Sequence, residues 1–106
     1  MNELRTVFAL VKNILEQDER ARNTDNYLYL KVLEHYSGLR GIDIYSMTVP
    51  LFLRKLDNHI FPGFETVRRS RQKVQASYPD LAADKTVEKL RDKNESAYRD
   101  FAVSEV

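Results

Sequence analysis

The sequence predicts an all-α domain of four to five helices, and three observations lead there. Charged residues make up 31% of the 106 positions while Gly and Pro contribute only three each. That composition suits helices with long polar faces and not a turn-rich β-sandwich. Apolar residues recur at spacings of three and four, the period of one helix face. Turn-forming residues fall between these periodic runs and seldom inside them.

The first helix carries Leu4, Val7, Phe8, Val11, Ile14 and Leu15 as one apolar stripe over roughly four turns. It fades into the polar run 16-EQDERARNTDN-26, whose single apolar anchor is Ala21. A break is expected near Asn23, since Asn23 or Thr24 can accept hydrogen bonds from the free N–H groups that open a new helix. The second helix, 24–37, runs through YLYLKVLEHY and is expected to stop at Ser37-Gly38, where Gly tolerates the left-handed conformation that ends helices. Gly38 and Gly41 then bracket a loop over 39–50, with Ile42 and Ile44 tucked beneath it, and one short strand is compatible with that stretch. Thr48 is a good N-cap, and Val49 and Pro50 occupy a first turn where a missing N–H costs nothing. The third helix, about 49–58, is expected to bury Leu51, Phe52, Leu56 and Leu53. Pro62 pushes Phe61 out of the helical region, so that helix ends before it. The fourth helix runs from Phe64 to about Tyr78, closed by Pro79. The last, 84–102, places Val87, Leu90, Asn94, Ala97 and Phe101 on one stripe, with Tyr98 alongside. The middle three helices have the order and spacing of a helix-turn-helix domain over 24–79.

Composition excludes several classes. A chain of 106 residues fits a single domain, 1–106. With no Cys there is no disulfide framework, thiolate metal site or cysteine nucleophile. No apolar run approaches the ~18 residues of a membrane span. The N-terminal MNELRTVFALVKNILEQDE lacks the basic-apolar-small order of a signal peptide and reads as part of the fold. These features point to the cytoplasm and to no membrane partner. The net charge of +1 conceals an asymmetry. Residues 1–50 hold six Lys/Arg and seven Asp/Glu, 51–79 hold six and two, and 80–106 hold five and seven. The basic charge is a local footprint.

Its centre is 63-GFETVRRSRQKVQ-75, with four basic residues in the six positions from Arg68 to Lys73. At ~3.6 residues per turn, Val67, Val74, Tyr78 and Phe64 form the buried face. Thr66, Arg68, Arg69, Gln72 and Lys73 point outward around the small Ala76, and Arg71 borders the core as a structural ion-pair partner. Outward Arg can fork onto guanine and Gln onto adenine, Lys and Arg meet phosphates, and a small central residue lets a helix sit deep in the ~12 Å major groove. Thr48, Arg54 and Lys55 on the preceding helix are placed to meet the backbone of double-stranded DNA. The same residues also suit an ordinary solvated helix face.

The segments 24-TDNYLYLKVLEHY-36 and 64-FETVRRSRQKVQASYPDL-81 together resemble small uncharacterised helical proteins encoded by phages and prophages of Gram-positive bacteria. Those proteins pair a D-x-Y-L-x-x-x-V helix with an F-E-(S/T)-(V/I)-x-R-x-R-(Q/R)-K-(I/V)-Q helix, and Phe64–Gln75 is the specific part of the likeness. The second segment also looks like the recognition helices of winged-helix proteins, which would place Arg68, Arg69, Gln72 and Lys73 at DNA. The resemblance implies a phage origin and the host cytoplasm. Where such relatives often have Ser or Asn at the helix start, this chain has Gly63, a weaker cap.

Other chemistry is sparse. His35 and His59 lie on different elements with no ligand at metal spacing. Ser37, Ser46, Ser70 and Ser77 lack a nucleophile elbow, and three scattered glycines cannot cradle a phosphate. The carboxylates, Asp18-Glu19 and Asp92/Glu95 among them, are interleaved with Lys and Arg as on solvated helix faces. The expectation is therefore a non-enzyme without metal or cofactor. Tyr29 and Tyr36 share a face with Val32 and Leu33 as core residues with a polar tip, whereas Tyr27 points away and can stack on a partner. The heptad-like seams of the terminal helices, the second interrupted by Asn94, fit either packing within one chain or a homodimer. The sequence thus predicts a DNA-binding accessory or regulatory protein. The alternative is a protein-interaction module, or an inhibitor, whose basic helix docks on an acidic protein partner.

Overall fold

The computed structural model describes residues 3–93, with side chains from Thr6 onward. Over this span the chain is all-helical, and no strand forms among the described residues. Helix α1, Glu3–Gln17, buries Val7, Val11 and Leu15 completely, one residue per turn on a single stripe. Asp18 then leaves the helical region, and its carboxylate accepts the Arg20 N–H at 3.1 Å. It thereby starts a short helix, α2 (Glu19–Asn23), inside the polar run into which the first helix was expected to fade. The lone apolar anchor there, Ala21, is fully buried.

Helix α3, Asp25–Arg40, follows the break at Thr24, which makes no side-chain cap. Asn23 does not cap α3 either. Its amide oxygen accepts the backbone N–H of Asp84 at 2.8 Å and its nitrogen donates to the Asp84 carboxylate at 3.2 Å. The expected stop at Gly38 is also corrected. Gly38 lies within α3, and Gly41 (φ 64) is the left-handed residue that ends it. The Ile42 N–H reaches back to the Ser37 carbonyl at 2.9 Å, so termination waits until Ile42 is placed to close that longer bond.

The loop turns through a short 3₁₀ segment, Ile44–Ser46, with the Asp43 carboxylate accepting the Tyr45 N–H. Thr48 caps α4 (Val49–Asp57) through a 3.4 Å bond from the Leu51 N–H, and Pro50 sits in the first turn. Here the burial expectation fails. No residue of α4 is buried: Phe52 and Leu56 are half-covered, while Leu51 and Leu53 stay 42% and 55% exposed. His59 leaves α4 through a left-handed turn (φ 58). Phe61 and Pro62 are buried at the corner before α5, Phe64–Ser77. Gly63 opens α5 without a side-chain bond.

Helix α5 packs along α1 and against α3 through Val67, Ser70, Arg71 and Val74. Phe64 and Tyr78, expected in this face, are exposed. Phe64 lies at the margin of the buried arc, and Tyr78 follows the last helical residue, where the backbone has already turned to φ −129. A 3₁₀ turn, Pro79–Leu81, folds Leu81 onto the core. A last helix, α6, opens at 85 and is described to 93, with Val87 half-buried and Leu90 exposed. The positions Asn94, Ala97, Tyr98 and Phe101, and the side chain of Leu4, lie outside the described residues.

The two glycines at the end of α3 should respond oppositely to Ala. A Cβ at Gly38 meets no atom within 4 Å on helical backbone, so Gly38→Ala should stabilise the protein by about 0.5–1 kcal/mol. Gly41→Ala forces a side chain into φ 64 and should cost about 1 kcal/mol. Urea unfolding of both variants checks the contrast.

Candidate functional site

Two surfaces and one buried polar cluster hold the residues of interest. On α5, Arg69 and Lys73 are exposed one turn apart, while Thr66, Arg68 and Gln72 are half-buried beside them. The set is not a row of open cations. Glu65 accepts a two-pronged bond from Arg68 (Nε to Oε2 at 2.9 Å, Nη2 to Oε1 at 2.7 Å) and a third from Arg69 Nε at 3.3 Å. The bonds from Arg68 above all hold the Glu65 carboxyl below its ordinary range. Lys73 has no acidic partner within ion-pair distance among the described residues. Arg54 and Lys55 stand apart on α4, exposed and half-buried respectively, and no hydrogen bond or ion pair joins them to the α5 group.

Arg71 is the structural residue that its place on the helix predicts. It is 5% exposed and grips Asp25 with Nε to Oδ1 at 2.7 Å and Nη2 to Oδ2 at 3.1 Å. Its third nitrogen donates to Gln75, whose amide in turn donates to the carbonyls of Arg22 and Leu81. Arg91 donates to the same Arg22 carbonyl, and burial pushes its guanidinium pKa down. This cluster ties α2, α3, α5 and α6 together, and no buried side-chain polar atom in it lacks a partner.

Tyr27 is likewise used inside the chain. Its hydroxyl donates to Asp18 at 2.6 Å, and Arg20 and Lys31 lie 4.5 and 5.3 Å from its ring centre. That bond is the main reason the Asp18 carboxyl is held low.

The second surface was not expected from the sequence. Between α3, the Ile44–Ser46 turn, α4 and the first turn of α5 lies an open apolar groove of about 520 Å³. Its floor is aromatic. Tyr29 meets Phe64 edge-on at 5.3 Å and Phe52 at 6.4 Å, and Phe52 meets Phe61 at 5.8 Å. Leu30 and Leu33 of α3 and Leu56 of α4 also line it. The Tyr29 hydroxyl donates to the Pro62 carbonyl at 2.9 Å, and burial raises its pKa to about 12. The rim is formed by Tyr45, Val49 and Leu53, at 74%, 71% and 55% exposure. Tyr45 is pinned there by a 2.8 Å bond to Glu34. A signal was present in the sequence: five of the nine α4 residues are apolar, more than a short helix can bury with one face.

Among the described residues no group of three or more His, Cys, Asp or Glu could hold a metal ion, and no helix is long and apolar enough to cross a membrane.

The Arg71 cluster makes a directional prediction. Asp25→Ala strands a buried guanidinium and should lower stability by about 3 kcal/mol, whereas the shape-matched Arg71→Met should cost far less. Chemical denaturation of the two variants separates an ion pair needed only once formed from one that drives folding. The chain matches no known family model, and no curated protein or solved structure matches it.

Proposed function

We propose that this protein is a non-enzymatic interaction module whose binding surface is the apolar groove between α3 and α4. One observation carries the reading: α4 contributes nothing to the core, yet its apolar side chains line an open hollow and leave Val49 and Leu53 in water. Single exposed apolar residues are ordinary. A contiguous patch around an aromatic floor is characteristic of a surface that another molecule covers. The groove's volume falls within the ~300–1,000 Å³ range of binding sites. An accessory role of this kind sits well with the resemblance of 24–36 and 64–81 to phage-encoded helical proteins.

A solvatochromic apolar dye such as anilinonaphthalene sulfonate tests the surface directly. The folded wild type should enhance dye fluorescence, and Leu53→Ser/Val49→Ser should abolish most of the enhancement. The melting temperature should stay nearly constant, because neither side chain fills core volume. A double variant that retains full enhancement removes the groove from consideration.

A second reading is favoured by the exposed pair Arg69 and Lys73 on α5. We propose double-stranded DNA as its ligand, with Thr66, Arg68 and Gln72 beside the pair and Arg54 and Lys55 as outlying contacts. Because Glu65 already pairs with two of the arginines, the affinity should be modest. Anisotropy of a labelled duplex should then show binding at low salt with a slope of only about two to three phosphates, reduced in Arg69→Ala/Lys73→Ala. Equal affinity and slope in the variant would sink this second reading and leave the first untouched.

A further inference from the structure

We infer that the occupant of the groove is a second copy of this chain, docked groove to groove about a two-fold axis; this rests on the groove being the binding surface. In such a contact both partners use one patch, so the patch must carry its own complement. The surface at α4 does. A hollow of about 520 Å³ lies beside side chains that stand out into water, Tyr45, Val49 and Leu53 on its rim. Projection and recess share one face, so Leu53 and Val49 of each protomer can enter the hollow of the other. Helix α4 gives a second reason. It buries no residue within one chain, and a second copy closes the layer that the single chain leaves open. A standard interface takes about 800 Å² and roughly 20–30 residues from each side, apolar at its centre and polar at its rim. The thirteen described residues that line the groove supply the centre, and Glu34, Asp43 and Asp57 border it.

Charge selects a second copy over an unlike partner. Near a two-fold axis each residue meets its own duplicate, so an ionised group there is set against a like charge. None of the thirteen lining residues is Lys, Arg, Asp, Glu or His. Their two phenols are bonded within the chain, Tyr29 to the Pro62 carbonyl and Tyr45 to Glu34. An unlike partner is under no such constraint, and charged pairs ordinarily fix its register. The carboxylates at the border fit the same symmetry. With the axis at Leu53 and across α4, the two copies of that helix run antiparallel. Val49 and Asp57 stand one turn either side of Leu53, so Asp57 of each protomer faces the first turn of the other's α4. That end of a helix favours a negative charge. Glu34 and Asp43 both bond Tyr45, on the turn before α4, which keeps them away from the axis and from their own duplicates.

Sedimentation equilibrium of the full chain tests this. It should show a reversible monomer–dimer equilibrium that changes little with salt, because no charge lies in the lining, and the melting temperature should rise with protein concentration. Leu53→Glu sets two carboxylates at the axis and should weaken association about a hundredfold, with circular dichroism showing the variant folded. Val49→Glu should repeat the loss at a helix start, where an acidic side chain suits the fold. Arg54→Glu/Lys55→Glu and Arg69→Glu/Lys73→Glu change residues that do not line the groove and should leave the dimer intact. A chain that stays monomeric at every concentration, while Leu53→Ser/Val49→Ser still removes the dye enhancement, overturns the second copy and leaves the groove to another partner. A monomer whose dye response that double variant does not alter overturns both. A dimer that survives Leu53→Glu and Val49→Glu, or dissolves in either control, is built on another face and overturns this inference.

Discussion

Everything in this fold follows from one packing constraint: the core is closed by α1, α3 and α5, with no room left for α4. Val7, Val11 and Leu15 present one full stripe, and Leu28, Val32, Val67 and Val74 answer it from the two facing helices. These are small and medium side chains, so the helices approach closely and the interior is filled without a fourth contributor. Ala21 seals it from the short helix α2 and Leu81 from the 3₁₀ turn after α5. Once that arrangement is complete, α4 can only lie against the outside, touching the body through half-covered Phe52 and Leu56. Burying a Leu or Phe side chain fully is worth about 1.5–3 kcal/mol, and α4 leaves a large part of that unrealised.

Two neighbouring stretches of the α3–α5 pair are finished by opposite chemistry. Near the start of α3, Arg71, Asp25, Gln75 and Arg91 form a satisfied polar network, reinforced by the reciprocal bonds between Asn23 and Asp84. No buried side-chain polar atom is left without a partner among the described residues. Such a network rigidifies because breaking any member exposes the desolvation cost of the others. One turn further along α3, at Tyr29, and at the start of α5, the contacts are aromatic rings that meet one another and Phe52 of α4 at 5.3 to 6.4 Å. Those contacts are less directional and open onto solvent. Rigidity and adhesiveness are thus segregated along the same two helices.

Much of this was legible in the sequence, and the failures have two causes: partners distant in the chain, and competing signals within one turn. The α1 stripe, the Thr48-Val49-Pro50 helix start, the Pro62-Gly63 corner and the structural role of Arg71 are all set by residues within a turn or two of each other. Local spacing reads those well. The stop at Gly41 was harder, because Gly38 and Gly41 carry the same local signal, and only the bond from Ile42 to Ser37 decides between them. Asn23 looked like a local cap because its partner, Asp84, lies 61 positions away. Helix α4 misled most. Its spacing shows that an apolar face exists but is silent on whether any neighbour covers it. The α5 cations were read correctly as outward, yet Glu65, three and four residues before Arg68 and Arg69, had to be weighed as their partner and not only as another surface charge.

The position of α4 outside the core has an evolutionary consequence. Where stability and surface chemistry reside in the same side chains, each change of ligand preference risks the fold. Here they reside in different helices. Val49, Leu53, Arg54 and Lys55 can be exchanged without altering the volume enclosed by α1, α3 and α5. The exposed positions of α4 are therefore free to diversify under selection, while Phe52 and Leu56 keep the helix seated on a scaffold that tolerates the drift.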